Sequence, residues 1–584
     1  MTFPPPLPDD DLQKLFPAHR KALGSDVFEI GLCLGGTVSA GAYTGGVLDY
    51  LIEALDAWTA DREKGDPLAP PHKVVISTLA GTSGGGINGA ILLRAAGWEF
   101  DHGASTRNPF FSSWTAGVDL MKLLSTRPDG DVAGLASIFN CSSIDTQAQT
   151  SIDFKGRDLG SGTSPGRRTY FTDPLRHIMM VGNVTGLPYS ISMSGASGLT
   201  HELVAHADYV RFALTVDSDV RNCPTSRPDE FALAAESDLN WDELRKASLA
   251  TSAFPLAFRS RPLARKLNIA GYRAVAVPDD AGGPAKVLQL IPKWQTLTTE
   301  EPDPDVSNFV NVDGGTTNNE PLDMVRMSIA GLDGRNVRNP TQANRAVILI
   351  DPFSDPETLG PHAPPSLAGL ALPFIMGLVY QARYKPVDIA LAHDETVYSR
   401  YLIAPVGRLG PDGKPMTGAR AIASGGLGGF LGFVDSRFLQ HDYALGRRNA
   451  HDFLKRHLAL PKDANNPIFD SWSDPQRSEY AFNENGTDYL PLIPLMKRLR
   501  DDPPVVPDWP RLDAFPTGLE DAVTERLDAL YSLAKAAAQP DSWLKRIATS
   551  VYLSIGWRMY LRGKLRDTAI GAIQKGLQDQ QLLS

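Results

Sequence analysis

Apolar residues along this chain switch repeatedly between two spacings, and the switches mark out its elements. Val27–Leu34 (VFEIGLCL) is an almost unbroken apolar run, the pattern of a strand buried on both faces. After a glycine turn, Val47, Leu48, Leu51, Ile52 and Leu55 recur at helical spacing and predict a helix from about Gly41 to Trp58. Asp66–Pro71, with three prolines, reads as a loop. Val74–Leu79 (VVISTL) predicts a second strand and Ile87–Ala96 a second helix. Strand, turn and helix, repeated, predict an α/β fold: a mainly parallel sheet covered by crossover helices. Strand-like runs return at Tyr189–Met193, Tyr209–Val216, Asn308–Val312 and Ala346–Ile350. The turn-rich stretch from Gly103 to Gly166 reads as a cap or insertion. Beyond Pro356 the pattern is mostly helical, interrupted by a Gly-rich loop (Ser424–Gly432) and a Pro/Asp linker (Asp501–Trp509). The expected organisation is an N-terminal arm (1–25), an α/β domain (26–355, with the cap at about 103–166) and a mostly helical C-terminal region (356–584).

Composition narrows the setting. With 584 residues, 42% hydrophobic and 21% charged, the chain is of ordinary globular composition and long enough to bury a core without disulfides. Cys33, Cys141 and Cys223 are odd in number and irregularly spaced, which argues against a disulfide framework or a zinc site and fits a reducing compartment. The N-terminus has neither the basic nor the apolar region of a secretory signal. The apolar stretch Leu367–Tyr380 is broken by Pro373 and too short to span a bilayer; a buried helix is expected there. A net charge of −10 argues against a nucleic-acid partner and against bulk attraction to anionic membrane. A soluble cytoplasmic protein is expected.

Three strand-end turns carry candidate chemistry. Gly81-Thr82-Ser83-Gly84-Gly85 lies between a predicted strand and a predicted helix, the setting of a nucleophile elbow. Gly81 and Gly85 permit the sharp turn, and Ser83 is set at a helix N-terminus whose N–H groups favour developing negative charge. The second turn, Leu34-Gly35-Gly36-Thr37-Val38-Ser39-Ala40-Gly41, falls at the same edge of a parallel sheet, where adjacent backbone N–H groups can face an oxyanion. Phosphate binding is disfavoured, because neither a P-loop Lys-Ser/Thr nor G-x-G-x-x-G is present. The third, Val312-Asp313-Gly314-Gly315, places an acid at a strand end, expected at that same edge, as a general base for Ser83.

In these residues the chain resembles the patatin-like phospholipases: glycine turn, Gly-x-Ser-Gly-Gly elbow, then Asp-Gly-Gly followed by Asn318, Asn319 and Pro321, in that order. Ala247–Phe258 (ASLATSAFPLAF) is similar to that family's segment ahead of its aspartate, and the resemblance covers roughly residues 27–355. It implies a three-layer patatin-like fold and a Ser83–Asp313 dyad without catalytic histidine, metal or cofactor. Gly35, Gly36 and Thr37 would hold the oxyanion, and the substrates would be glycerophospholipids or related acyl lipids. The family's usual Gly-Gly-Gly-x-Arg/Lys-Gly is replaced here by Gly35-Gly36-Thr37-Val38-Ser39-Ala40-Gly41, which loses the third glycine and the basic residue. Two rivals remain: an α/β-hydrolase triad drawing on His393, His441, His451 or His457, and a catalytically silent scaffold. Arg437–Asn449 is similar to a stretch of larger bacterial members that has no assigned chemistry. The basic segment Ser542–Leu577 is expected to be a helix docked on the core, with peripheral membrane contact as the alternative. The sequence leaves the oligomeric state open.

Overall fold

A computed structural model describes residues 24–127, 136–153, 168–192, 200–215, 229–277, 286–293, 305–331, 335–354, 397–537 and 561–583, with Leu15, Arg227 and Gly377. The 1–25 arm, except Leu15 and residues 24–25, the Leu367–Tyr380 stretch, except Gly377, and Cys223 lie outside these residues.

The central sheet contains β1 (Val27–Leu34), β2 (Lys73–Gly81), β3 (Phe171–Ser192), β4 (Thr200–Thr215), β5 (Glu230–Ala234) and β6 (Arg261–Lys266). β7 (Ala274–Val277) and β8 (Lys286–Gln289) form a separate hairpin, and the short β9 (Ile291–Pro292) pairs with β3. β10 (Val306–Asp313), β11 (Arg345–Ile350) and β12 (Arg400–Ile403) complete the sheet, in the order β12-β11-β1-β2-β3-β10-β6. The run from β12 to β3 is parallel, whereas β10 lies antiparallel to both β3 and β6. The α/β class read from the sequence is therefore the class observed. Tyr189–Met193 and Tyr209–Val216, which read as separate strands, belong largely to the two arms of the long β3–β4 antiparallel pair.

Alternation along β1 explains the layers. Phe28, Ile30, Leu32 and Leu34 point into the main core, which also takes apolar residues of α1 (Gly41–Glu63) and α2 (Gly84–Ala96). The helices α3 (Pro109–Thr115) and α4 (Ser142–Ile152) come from the stretch read as a cap, and α5 (Trp241–Thr251) adds Trp241 and Leu244 to the same core. The opposite face of the sheet, with Cys33, Ala80, Ile178 and Met180, is covered by Val325 and Ile329 of α6 (Leu322–Ala330).

The C-terminal residues share this architecture. β12 is an edge strand of the central sheet, and Tyr443, Phe453, Leu460, Phe469 and Trp472 belong to the main core. Beside α7 (Ser436–Arg456), α8 (Leu519–Ala537) and α9 (Arg562–Asp579), this region carries the hairpin β13 (Val406–Leu409) and β14 (Pro415–Thr417). It also carries a small sheet of β15 (Ala459–Pro461), β16 (Phe482–Glu484) and β17 (Thr487–Pro491). Leu577 of α9 is buried with Leu431 and Phe438, so the described part of the basic segment packs on protein; residues 542–560 lie outside the description. Among the described residues no helix is long and apolar enough to cross a membrane.

α7 meets α1 at paired glycines. A Cβ on Gly46 would fall on the Tyr443 carbonyl, and one on Gly446 on the Tyr43 carbonyl, so neither position tolerates a side chain without parting the helices. One turn away, the fully buried Asp49 accepts hydrogen bonds from His102 Nδ1 (2.7 Å), Asn108 Nδ2 (2.9 Å), the Gly103 N–H (3.0 Å) and Tyr443 OH (2.7 Å), and pairs with Arg447. Burial opposes its charge, but these partners hold its pKa below the usual carboxylate value, while Asp49 and Asp56 push His102 up to about 9 against its own burial. The motif at Arg437–Asn449 thus has a structural role: Tyr443, Gly446 and Arg447 dock α7 onto α1. Replacing Arg447 by Met removes one of the two cations paired with buried Asp49, and loss of such a charged hydrogen bond costs about 1.5–3 kcal/mol. Urea denaturation at pH 7 should show a loss of that order; an unchanged midpoint would mean the pair contributes nothing.

Candidate active site

β2 ends at Gly81, and two residues later Ser83 adopts φ 52°, ψ −126° before α2 begins at Gly84. A left-handed non-glycine residue is strained by about 1–3 kcal/mol and persists only where its surroundings fix it. Here the Ser83 N–H donates to Thr251 Oγ1 (2.9 Å), Thr251 Oγ1 donates to the Met180 carbonyl (2.5 Å), and Thr82 Oγ1 donates to the Asn318 carbonyl (2.8 Å). Gly85 packs so closely under the first turn that a Cβ there would fall on the Leu34 and Gly35 carbonyls. The elbow read from the sequence is present.

Asp313 reaches Ser83 by a route the sequence did not reveal. β10, the strand that delivers it, runs antiparallel to β3. β2 occupies one edge of β3 only as far as Gly81 opposite Met179, and β10 pairs with the same edge from the far end, stopping at Asp313 opposite Val181. The two strands meet head to head. The Asp313 N–H donates to the Ala253 carbonyl (2.9 Å), and its carboxylate accepts from the Gly315 N–H (2.7 Å) and shares the cavity with Ser83. Burial pushes its pKa up to about 6, against the lowering effect of the Ser83 side chain and the Gly315 N–H.

The segment Ala247–Phe258 acquires a physical role. Its Thr251 holds the Ser83 N–H and its Ala253 holds the Asp313 N–H, while Ser248, Leu249, Ser252, Phe254 and Phe258 line the cavity. That cavity, of about 100 Å³, opens on Ser83 and Asp313 and is otherwise mostly apolar. Trp114 and Val118 bound it from around α3, Ile144 and Ile152 from α4, and Phe433 from the C-terminal region. Neither Thr251 nor Phe433 stood out in the sequence, since a lone threonine on a helix and a phenylalanine in a Gly-rich loop carry no periodic signal.

The glycine turn departs from expectation. Gly35 N–H donates to the Ile350 carbonyl (3.0 Å) and Gly36 N–H to the Asn319 carbonyl (3.2 Å), so both proposed donors are occupied by backbone. Gly36 instead allows close approach, since a Cβ there would collide with Asn319 Oδ1 and lie 3.5 Å from Ser83 Cβ. Among the described residues the N–H groups of Thr37 and Gly84 have no backbone or side-chain acceptor; Gly84 directly follows Ser83, and Thr37 lies against Gly84. Thr37 is 1% exposed, and its Oγ1, which lies against Gly84, lacks a hydrogen-bond partner. Val38 turns the chain with φ 48° and borders the cavity, while the neighbouring Ser39 Oγ donates to the Gly429 carbonyl of the C-terminal loop.

No histidine lines the cavity among the described residues. His441 and His451 are on α7, next to Asp442 (3.0 Å) and Asp452 (2.9 Å), and His441 packs edge-on against Trp509. His457 caps the same helix and His393 lies outside the described residues. His177, near the elbow, is buried against Gly86 and Gly89, and burial holds its pKa down at about 4.

Comparison with known proteins agrees with this geometry. The chain is 32% identical over 529 residues to an uncharacterized protein, y4iI, of Sinorhizobium fredii, an alignment covering 83% of this chain and 73% of that protein. The sequence pattern of the patatin-like phospholipases matches residues 32–326, which contain every turn described above. This chain belongs to the patatin-like phospholipase family.

Proposed function

We propose that the protein is a serine lipid acyl hydrolase in which Ser83 is the nucleophile and Asp313 its base. The observation that carries this reading is the strained Ser83 and the buried Asp313 carboxylate lining the same mostly apolar cavity. Ser83 Oγ adds to the ester carbonyl as its proton passes to Asp313. The oxyanion is stabilised by N–H groups already in place, those of Thr37 and Gly84. Collapse of the tetrahedral intermediate expels the alcohol, which takes the proton from Asp313. Water, deprotonated by the same carboxylate, then adds to the acyl carbon, and the fatty acid is released as Ser83 Oγ leaves and takes that proton back from Asp313. Asp313 handles every proton in this cycle, so the route requires no cofactor. The cavity's apolar lining suits an acyl chain, making phospholipids or other acyl lipids the expected substrates. Their delivery implies contact with a lipid surface, for which the exposed Leu561 and Leu565 beside Arg562, Lys564 and Arg566 are suited.

A fluorophosphonate probe should label wild type and leave Ser83→Ala unlabelled, with Ser83→Ala releasing no fatty acid from mixed lipids by mass spectrometry. Equal labelling of both would remove Ser83 as nucleophile, and a folded wild type that releases nothing would favour the silent scaffold.

The base must be ionised to act, and burial places its pKa at about 6. Activity should therefore be level above that pH and fall about tenfold per unit below it in kcat/KM. An acid limb centred near 4 would mean Asp313 is not the base.

Thr37 separates the donors. Thr37→Val keeps the N–H and removes only an unpartnered hydroxyl, so turnover should change less than threefold or so and stability should not fall. Thr37→Pro removes the N–H and pulls the backbone from φ −139°, and should cost about 10²–10³ in kcat. A folded Thr37→Pro protein with wild-type turnover would assign the oxyanion to other groups.

A further inference from the structure

A second cavity, of about 220 Å³, lies between β3, β4 and α6. Side-chain alternation along β3 puts it across the sheet from the elbow. Met179 and Val181 face the main core, while Ile178 and Met180 face α6, and Arg176 shares that second face. The cavity is lined by Arg176, Arg211, Arg227 and Arg273 together with Leu187, Leu290, Met324 and Met327. Burying guanidinium groups is costly unless each is paired, so the pairing decides what the cavity can hold.

Most of these charges are answered. Arg227 grips Asp229 with two nitrogens (2.8 and 3.0 Å) and donates to the Leu15 and Tyr272 carbonyls. Arg176 donates to Glu230 (3.2 Å), and Arg273 and Arg265 both pair with Asp208. Arg211 is different. Its nearest carboxylate, Asp229, is 3.6 Å from Nε and already gripped by Arg227, and its buried Nε makes no hydrogen bond. Its guanidinium stands 5.0 Å over the Tyr209 ring. Burial and the neighbouring Arg227 lower its pKa, the sign of a cation short of anions.

We propose that this cavity binds an amphiphilic monoanion, with a carboxylate or phosphate group against Arg211 and an alkyl chain along Leu187, Leu290, Met324 and Met327. The site stands apart from the Ser83 cavity and does not depend on any chemistry there. An occupant would nonetheless touch the elbow's support. Asp323 lines the cavity and accepts from Asn318 Nδ2 (3.4 Å), and the Asn318 carbonyl holds Thr82 (2.8 Å).

The test is calorimetric titration of the full chain with dodecanoate, dodecyl phosphate, inorganic phosphate and dodecyl maltoside. Both anionic amphiphiles should bind, with Arg211→Met weakening them at least tenfold and Arg211→Lys far less. Met327→Trp, which fills part of the cavity and leaves the arginines intact, should also weaken dodecanoate at least tenfold, and decides the matter if Arg211→Met does not fold. Equal dodecanoate affinity in wild type and a folded variant would overturn the site. Dodecyl maltoside binding as tightly as dodecanoate would overturn the role of charge, and inorganic phosphate binding as tightly as dodecyl phosphate would overturn the role of the chain. Because ester hydrolysis is not the readout, failure here leaves the Ser83 reading standing, and failure of that reading leaves this one.

Discussion

Along a single edge of β3, β2 stops opposite Met179 and β10 arrives from the other direction to stop opposite Val181. One ladder of backbone hydrogen bonds therefore sets the spacing between the elbow and the aspartate. Everything nearby serves that junction. α5 reaches across it, tying the Ser83 N–H through Thr251 and the Asp313 N–H through Ala253. The strain in Ser83 is tolerable because its neighbours on three elements are already committed to other partners.

The same packing that fixes the distance also dries the site. Asp313 is 3% exposed, and its raised pKa follows from that burial. A buried carboxylate with a pKa of about 6 is costly to keep ionised above that pH, so in the folded protein it favours the protonated form. Its contribution to stability is present below the ordinary carboxylate range and is lost as pH rises through about 6. Above that pH the Asp313 carboxylate is ionised in a place where burial disfavours its charge, a condition common at functional sites.

What could be read from the sequence was local. Ser83 and its glycines sit within a dozen residues of both the strand and the helix that define the elbow. Asp313 was placed at a strand end beside Ser83, but the antiparallel pairing that brings it there joins β10 to a strand over a hundred residues earlier and leaves no trace in either segment. The length of β3 was missed because Gly182, Gly186 and Pro188 interrupt its apolar pattern. Gly35 and Gly36 looked like free donors until the fold supplied Ile350 and Asn319 as acceptors. Arg437–Asn449 carried no assigned chemistry, yet its Gly446 is where two helices touch backbone to backbone. In each case the deciding partner was distant in sequence.

The junction on β3 also governs which insertions the chain can accept. Side chains alternate along β10, so one residue added within that strand would turn the carboxyl to the other face, and two would carry it about 7 Å along the ladder. Either change removes it from the serine. Residues added before Val306, in the long connection from β6, leave the end of β10 where it is. Length variation in relatives of this protein should therefore gather in that connection and stop abruptly at the strand, with the site unmoved by even large additions upstream.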